Sequence, residues 1–485
     1  MTQVLGLPRL EERIRQDLAQ LCLPARPWIP AKEFNGKPVK DVIVIGGGMA
    51  GLVLGAALKN LGIDAHLLDK SPAGFEGPWL TTARMETLRS PKELTGPALG
   101  IGSLTFQAWF VAQWGVEAWK VIDKIPRPQW AEYLRWYRKV LGIEVQNGHE
   151  VISLNPGPDQ IVSVEVKDHN THPATTYALL ARRVVLATGR DGLGGPWVPT
   201  WAKAIPKDKW VHSSDVWEGT RFKGQRVVVI GGGSSSMDSA ATALESGATR
   251  LDMLIRRQEF PRINKSKGLG SPGIVHGYWQ LPDTWKWKFR HYINAQQVPP
   301  PRGSTLRVSR HKNAYFHFGA PVVQAISKED GSIQLETPKG SLLTDQIIFS
   351  TGFRTDWALR PEFSSFAPYI RVWRDRFDTP EKLEDEELSD SPDLGSCFEF
   401  QSKTPDACPG LDRIHCFNYA ATLSHGACSG DIPQISDGAQ RLAQGLAAKF
   451  MAEDVDHHFE ALKKYDDPEL LGDEWIAADF PKSDV

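Results

Sequence analysis

Residues 41–69 read DVIVIGGGMAGLVLGAALKNLGIDAHLLD. A short aliphatic run leads into glycines, a stretch of small and aliphatic residues follows, and a second aliphatic run ends in an acid. This order predicts strand, turn, helix and strand, which is the βαβ opening of a parallel, doubly wound sheet. The predicted fold class is therefore α/β.

The glycines of this stretch have the spacing of a dinucleotide-binding turn. Gly46, Gly48 and Gly51 stand in G-x-G-x-x-G register. The first glycine allows a tight turn, the second lets the backbone approach a pyrophosphate, and the third lets the helix pack against the strand. The N-terminus of that helix points free N–H groups at the phosphates. Asp69 ends the second strand, where a carboxylate can bind ribose hydroxyls.

A second copy of the motif spans residues 226–257, RVVVIGGGSSSMDSAATALESGATRLDMLIRR. Gly231 and Gly233 stand in place, and the small residue Ser236 takes the third position. The second strand ends in Arg256 and Arg257 instead of an acid. A guanidinium there neutralises a 2′-phosphate, so this site is predicted to prefer NADPH over NADH. A solvated strand end remains the alternative for the arginine pair.

Two such sites in one chain predict a two-cofactor oxidoreductase, with FAD resident in the first site and NADPH delivering hydride from the second. Both domains are predicted to be Rossmann-like. The predicted divisions are an N-terminal helical extension (1–36), a discontinuous FAD domain (37–215 and 350–485) and an NADPH domain (216–349) with a substrate-pocket insertion near 260–318.

Three helices and one loop are also predicted. Leu10, Ile14, Leu18 and Leu21 recur at the spacing of a short amphipathic docking helix. Further helices are predicted at 127–141 and from about Pro433 onward. The acidic stretch 381–393 predicts a solvated surface insertion.

Composition excludes several classes of protein. The chain has 485 residues and a net charge of −2, which argues against nucleic-acid or anionic-membrane partners. The N-terminus has no apolar stretch long enough for a signal peptide or membrane span. Five cysteines without C-x-x-C spacing predict a reducing cytoplasm and argue against a structural zinc or a redox dithiol. His457, His458 and Glu460 are interpreted as surface residues, and no metal is predicted.

Several further segments carry a family resemblance. Val184–Gly189 (VVLATG) and Ile347–Phe353 (IIFSTGF) resemble the strand-ending segments that link the two domains of class B flavoprotein monooxygenases. Gly77-Pro78-Trp79 and the helix Arg127–Tyr137 are also similar to stretches of that family, and the resemblance covers most of 38–450. It implies a C4a-(hydro)peroxyflavin that oxygenates a small-molecule substrate with O₂.

The resemblance differs among branches of this family. His212, Ser213 and Trp217 match half of a signature in which Pro206 and Asp208 replace the usual phenylalanine and glycine. The segment 423–433 (LSHGACSGDIP) looks more like the N-hydroxylating branch, where a similar His–Gly segment lies beside the flavin. Oxygenation of a nitrogen atom is therefore favoured. An NADPH:acceptor reductase without oxygen insertion and a non-catalytic flavin- or NADPH-binding sensor remain alternatives, as does a role for Asp431 as a helix N-cap.

The catalytic residues stay unknown, with His425 and Trp79 as candidates near the flavin, and the segment 260–318 is the predicted source of specificity. A homo-oligomer is possible. The predicted FAD contacts are Gly46, Gly48, Met49, Ala50, Gly51, Asp69, Lys70, Trp79, Gly189, Gly430, Asp431 and Ile432. The predicted NADPH contacts are Gly231, Gly233, Ser234, Ser235, Ser236, Arg256, Arg257 and Gly352.

Overall fold

The computed structural model describes residues 6–480 and has an α/β fold. The helices are α1 (Leu7–Gln20), α2 (Met49–Asn60), α3 (Phe106–Val121), α4 (Arg127–Val140), α5 (Ser234–Glu245), α6 (Pro272–Gly277), α7 (Asp283–Gln296), α8 (Arg302–Ser309), α9 (Glu386–Ser389), α10 (Thr422–His425), α11 (Ile435–Glu453) and α12 (Val455–Lys463). The strands are β1 (Lys32–Phe34), β2 (Lys37–Ile45), β3 (Ala65–Asp69), β4 (Val145–Asn147), β5 (His149–Pro156), β6 (Val162–Asp168), β7 (Thr175–Leu186), β8 (Gly194–Pro196), β9 (Trp210–His212), β10 (Arg226–Ile230), β11 (Arg250–Ile255), β12 (Ala314–Phe318), β13 (Gln324–Ser327), β14 (Ile333–Thr337), β15 (Gly340–Thr344), β16 (Gln346–Phe349), β17 (Phe353–Thr355) and β18 (Ile414–Cys416).

The first sheet is built around β2, in the order β4-β3-β2-β7-β6-β5. Strands β4, β3, β2, β7 and β18 run parallel, and β5 and β6 continue the sheet antiparallel to β7. Val42, Ile43 and Val44 are fully buried, since both faces of a parallel sheet are covered. Helix α2 packs against both β3 and α11. The prediction of an α/β fold with a parallel sheet is confirmed.

The second sheet is fully parallel, in the order β12-β11-β10-β16-β9. Its edge strand β9 begins at Trp210, six residues before the predicted start of the NADPH domain at 216. Strands β13, β14 and β15 form a small antiparallel sheet beside it. The division into FAD and NADPH domains stays a prediction, with the strand at 210–212 attached to the second sheet.

The chain passes between the two sheets twice, and the two passages are joined. Strand β8 lies on the way to the second sheet and β17 on the way back, and they pair antiparallel. A Cβ atom added to Gly194 would lie 2.0 Å from the carbonyl oxygen of Arg354, so the pairing requires glycine at this position. The two connections therefore form one hydrogen-bonded ribbon.

Helix α1 is amphipathic as predicted, but it is shorter than the pattern indicated. Leu10 and Ile14 are buried in the first core, and Leu18 packs against it. Leu21 follows the end of the helix and is 57% exposed, so it does not dock. Within residues 6–480, no helix combines the length and the hydropathy needed to span a bilayer.

Helix α3 carries Trp109, Trp114 and Trp119, whose spacing of five residues does not keep to one face of a regular helix. Gly115 adopts φ +82° and breaks the helix in its middle. Trp109 and Trp119 consequently both reach the core, where each packs against Phe106. Because of the kink at Gly115, these tryptophans can reach the same core without lying on one face of a regular helix.

The acidic stretch 381–393 is a solvated insertion only in part. Glu381, Glu384 and Glu386 are exposed as predicted, but residues 388–393 are not. Leu388 is buried, and the indole N–H of Trp287 donates to the Leu383 carbonyl over 2.8 Å. The carboxylate of Asp393 is buried and pairs with two arginines. Complementary partners from distant parts of the chain therefore hold this acidic segment against α7.

A buried ion network fixes the end of α11 to the first sheet. The Arg182 guanidinium is 1% exposed and bonds Asp454 at 2.7 Å and Glu453 at 2.9 Å. Arg183 and Arg413 also pair with Glu453. Burial alone would raise the pKa of Glu453, but the three guanidinium groups outweigh it and lower that pKa.

We expect Glu453→Gln to lower the free energy of unfolding by about 3 kcal/mol at neutral pH, because it leaves buried guanidinium groups without their partner. The Glu453 pKa is lowered in the folded state, so its contribution is complete above the unfolded value of 4.5 and disappears as the pH falls through the folded value. Urea unfolding of both proteins should show the difference shrinking below pH 4.5. Asp456→Gln, on exposed α12, is the control and should change little at any pH.

Candidate functional site

The first glycine turn contains two kinds of glycine. Gly46 has φ +108°, and a Cβ on Gly51 would lie 1.8 Å from the Gly46 carbonyl oxygen. The fold itself therefore requires both. Gly48 differs, since the nearest protein atom to its added Cβ is 3.7 Å away, in Gly77. The space beside Gly48 is thus free for a group from outside the chain, as a bound pyrophosphate would need.

A cavity of about 810 Å³ opens beside this turn. It is lined by Gly47, Gly48, Met49, Leu52, Ala73, Gly74, Glu76, Trp79, Leu80, Ala131, Leu134, Arg135 and Arg138. The structure thereby brings Gly48, Met49 and Trp79 together, as the sequence predicted. The arginines were missed, although Ala131, Arg135 and Arg138 recur at the spacing of one face of α4.

Asp69 lies at the base of this turn with both carboxylate oxygens in use. One accepts the Gly47 N–H and the other accepts the Ser71 N–H, each over 2.7 Å. Each oxygen has a further lone pair, so the carboxylate can still accept a ribose hydroxyl. Lys70 is exposed just beyond the strand.

The second glycine turn repeats this geometry with one change. Gly231 has φ +129°, and its added Cβ would lie 2.6 Å from the Ser350 carbonyl oxygen. Gly233 has no protein atom within 4 Å of its added Cβ, which again leaves room for a phosphate. The buried hydroxyl of Ser236 accepts the Gly233 N–H at 3.2 Å. Ser236, in the third position of the motif, therefore stabilises the turn through a hydrogen bond that a glycine could not form. Ser234 and Ser235 begin α5, where N–H groups face outward from the helix end.

The two arginines that follow β11 have different surroundings. Arg256 is exposed directly after the strand. Arg257 is half-buried, and its guanidinium donates to the Ala295 carbonyl at the end of α7 over 2.6 Å. Arg256 is therefore free to meet a ligand, and Arg257 is fixed in place by one of its five N–H groups.

The partial signature around His212 forms a contact between the two halves of the molecule. The guanidinium of Arg84 lies 3.3 Å above the Trp217 ring and donates to the carbonyls of Ser213 and Asp215. The Trp217 indole N–H donates to the His212 carbonyl at 3.1 Å. Burial lowers the pKa of His212 to about 4, so its ring is neutral at physiological pH.

A second cleft lies between the halves. Its lining residues are Arg190, Asp191, Leu193, Gly194, Arg290, Asn294, Phe353, Arg354, Thr355, Glu387, Leu388, Ser391, Tyr419, Ala420, Thr422 and Leu423. Gly189 and Gly352 directly precede two of its walls; each has a positive φ and no protein atom within 4 Å of an added Cβ. Gly430 lies behind Tyr419, its added Cβ 3.6 Å from the Tyr419 Cα. Predicted contacts of both cofactors thus adjoin the lining of this cleft.

The cleft has a distinctive charge pattern. Arg190, Arg290 and Arg354 share the cleft with two carboxylates, Asp191 and Glu387. The pKa of Glu387 is raised because burial and the nearby Asp385 outweigh the arginines. Arg290 and Asn294 belong to the predicted specificity segment 260–318. Glu387 belongs to the acidic stretch and was missed, because composition alone assigned that stretch to solvent.

The structure places the His425 side chain away from both cavities. The ring is 2% exposed and stacks on Phe398, with centroids 3.8 Å apart. One nitrogen accepts from Arg441 and the other donates to the Gly395 carbonyl, each over 3.0 Å. Burial and Arg441 hold the pKa of His425 well below its usual value. This imidazole therefore positions the surrounding loop and has no free nitrogen for proton transfer.

Asp431 is not the N-cap of the long C-terminal helix, because α11 begins at Ile435 with Gln434 before it. The Asp431 carboxylate is solvent-accessible, yet the protein around it raises its pKa. Ile432, next to it, is buried.

Comparison with known proteins identifies the family. The model of the L-lysine 6-monooxygenase/L-ornithine 5-monooxygenase family matches residues 38–297, more than half of the chain. The chain belongs to this family. It is also 34% identical over 471 residues to a FAD-dependent urate hydroxylase of Xanthomonas campestris pv. campestris, covering 96% of this chain and 98% of that one.

Two solved structures of N-hydroxylating enzymes share the fold. The ornithine N-hydroxylase of Kutzneria sp. 744 superposes with a TM-score of 0.65 at 17% identity, over 85% of this chain and 100% of that one. The ornithine hydroxylase of Pseudomonas aeruginosa superposes with a TM-score of 0.64 at 17% identity, over 84% and 98%. The predicted resemblance to flavoprotein monooxygenases, and the prediction of an oxidoreductase of that kind, are confirmed at the level of this family.

One cluster lies outside the cavities that the family's fold presents. Cys397, Glu399 and His415 are buried, and their potential metal-ligand atoms lie within 4.8 Å of one another. No local sequence pattern indicates this cluster, because fifteen residues separate Glu399 from His415. Lys449 pairs with Glu399 at 3.2 Å, and burial raises the pKa of the Cys397 thiol to about 12. The carboxylate is therefore already neutralised and the thiol protonated.

The two kinds of glycine predict opposite effects of the same substitution. Gly51→Ala should prevent stable folding, because its methyl group would overlap the Gly46 carbonyl oxygen at 1.8 Å. Gly48→Ala should leave thermal stability of the cofactor-free protein within about 1 kcal/mol of the parent, since its methyl group meets open space. Thermal unfolding of the apoproteins measures both. Equal losses from the two substitutions would contradict this distinction.

Proposed function

We propose that this protein is an FAD- and NADPH-dependent monooxygenase that hydroxylates a planar, anionic heterocycle of the urate class. The observation that carries the proposal is the arginine-lined cleft whose lining adjoins predicted contacts of both cofactors. Near full-length similarity to a urate hydroxylase supports the choice of substrate class. The balanced reaction consumes O₂, NADPH and a proton, places one oxygen atom on the substrate and releases the other as water.

FAD is assigned to the first cavity. The backbone at Gly46–Gly48 and the α2 N-terminus would receive the pyrophosphate, and Asp69 a ribose hydroxyl. Met49 and Trp79 line this cavity. The remaining FAD contacts, Ala50, Gly51, Lys70, Gly189, Gly430, Asp431 and Ile432, stay predictions. The bound flavin supplies the redox chemistry that links NADPH oxidation to oxygen. The protein holds it beside the cleft and limits access of water.

NADPH is assigned to the second glycine turn. Gly231 and Gly233 leave the pyrophosphate free access to the α5 N-terminus, where Ser234–Ser236 begin the helix. Gly352 lies at the cleft end of this path. Arg256 is assigned to the 2′-phosphate, and Arg257 supports it by fixing the loop to α7.

A second candidate function is N-hydroxylation of an amino-acid-like amine. The family model over residues 38–297 favours it, and nitrogen oxygenation was also the sequence-based preference. The cleft supports the heterocycle more strongly, because three arginines and an asparagine face it. An amine substrate must approach as the neutral base, and an arginine-rich surface offers it no acceptor beyond the few acids present.

A cytoplasmic location and homo-oligomerisation stay predictions. The five cysteines are all free, and three of them are buried, which supports a reducing compartment.

We expect Arg256→Ala to reduce the preference for NADPH over NADH about tenfold or more, since it removes a charged contact to the 2′-phosphate. Anaerobic stopped-flow reduction of the bound flavin by each nucleotide measures this preference. Arg310→Ala, an exposed arginine at the end of α8, is the control and should leave the ratio unchanged. A normal preference in Arg256→Ala would remove this residue from the nucleotide site.

The function itself is tested by NADPH and O₂ consumption in the presence of urate, L-ornithine or L-lysine. Urate should accelerate both and should be converted to a product carrying one atom from ¹⁸O₂. Acceleration and oxygen transfer only with an amine would establish the second candidate instead. NADPH oxidation with artificial acceptors, without oxygen transfer to any of these substrates, would favour a reductase.

A further inference from the structure

The interdomain cleft has walls from five separate parts of the chain. The segment after β7 brings Arg190, α7 brings Arg290 and Asn294, β17 brings Arg354, α9 brings Glu387, and the segment 419–423 brings Tyr419. The residues that meet here are separated by up to 233 positions in sequence. The cleft therefore forms only when both halves of the molecule are folded and in contact, and any ligand that it binds contacts both halves.

The arginines of this cleft are not saturated by partners within the protein. Arg190 is exposed and lies over the Tyr419 ring at 4.3 Å. The Nε of Arg290 is buried without a hydrogen-bond partner. Arg354 approaches Glu386 at 3.6 Å, an exposed and therefore weak pair. The cleft thus offers guanidinium N–H groups to an incoming acceptor.

Glu387 provides a hydrogen-bond acceptor in the same cleft, where the arginines provide donors. Its neighbours on the acidic stretch are engaged, since Asp385 accepts from Asn294 and caps α9 through the Leu388 N–H. Glu387 faces the cleft with the three arginines around it. One wall therefore presents donors, and a carboxylate acceptor lies among them.

We propose that this cleft is the substrate site and that Glu387 determines specificity by accepting a ring N–H of a planar heterocyclic anion whose carbonyl oxygens bind Arg290 and Arg354. Urate has this combination of ring N–H donors, carbonyl acceptors and a delocalised negative charge. The inference rests on the proposed function and assigns the residues that select its substrate. Glu387 is a binding residue in it and takes no part in oxygen transfer.

The direction in which Glu387→Met changes the affinity for urate distinguishes this hydrogen-bonding role from a purely electrostatic one. If Glu387 only counters the arginines, Glu387→Met frees positive charge and strengthens binding of every anion. If it accepts a ring N–H, Glu387→Met weakens urate binding while binding of benzoate, a planar anion without N–H donors, is unchanged or tighter. Glu387→Gln keeps an acceptor oxygen and should restore part of the urate affinity.

The experiment is isothermal titration of urate and benzoate into the oxidised FAD-bound enzyme. We expect Glu387→Met and Arg290→Met each to weaken urate binding about tenfold or more. Glu384→Gln, on the same acidic stretch, and Lys288→Met, on an exposed position of α7, are the matched controls and should bind urate as the parent does. FAD content and thermal unfolding are measured for every variant, and parent-like values show that the variant is folded.

The possible outcomes distinguish a wrong assignment of the substrate site from a wrong substrate class. Tighter urate binding by Glu387→Met, or normal binding by both Glu387→Met and Arg290→Met, would overturn the assignment of the site while leaving urate hydroxylation intact. Failure of the parent enzyme to bind urate, together with normal flavin reduction, would overturn the substrate class and the site assignment with it. An equal loss in the control variants would also overturn the assignment, because it would show that the cleft is not the cause.

Discussion

The contact between Gly51 and the carbonyl of Gly46 is the constraint on which the rest of this structure depends. Residue 51 has no side chain, and helix α2 can therefore lie directly on the turn that leaves β2. That approach aims the helix N-terminus at the space beside Gly48. It also places α2 against α11, so this C-terminal helix takes its position from the same turn.

From α11 the constraint passes to the cleft. The helix is fixed at its C-terminal end by buried arginines of β7 and at its beginning by the loop that carries Tyr419. His425 holds this loop through two hydrogen bonds instead of acting on a substrate. Charged groups outside the cleft thus help to fix the position of the cleft wall that carries Tyr419.

Local patterns in the sequence were sufficient for the two glycine turns, because a turn, a strand and a helix are all specified within about 30 neighbouring residues. They were insufficient for residues 381–393 and for Gly115. The burial of the acidic stretch depends on arginines and a tryptophan elsewhere in the chain, and no window of composition contains them. The kink at Gly115 depends on one positive φ. Glycine permits this φ, but the presence of a glycine in the sequence does not predict it. Resemblance located the segment around His425 and could not reveal which way its ring points.

The ribbon of β8 and β17 has a consequence for the modularity of this architecture. The chain enters and leaves the second sheet through neighbouring strands, so that unit begins and ends at almost the same point in space. A unit with adjacent ends can be inserted into a host without disturbing the host's own sheet. The unit built on the second sheet can therefore be exchanged or remodelled as a single piece, while the first sheet keeps its strand order.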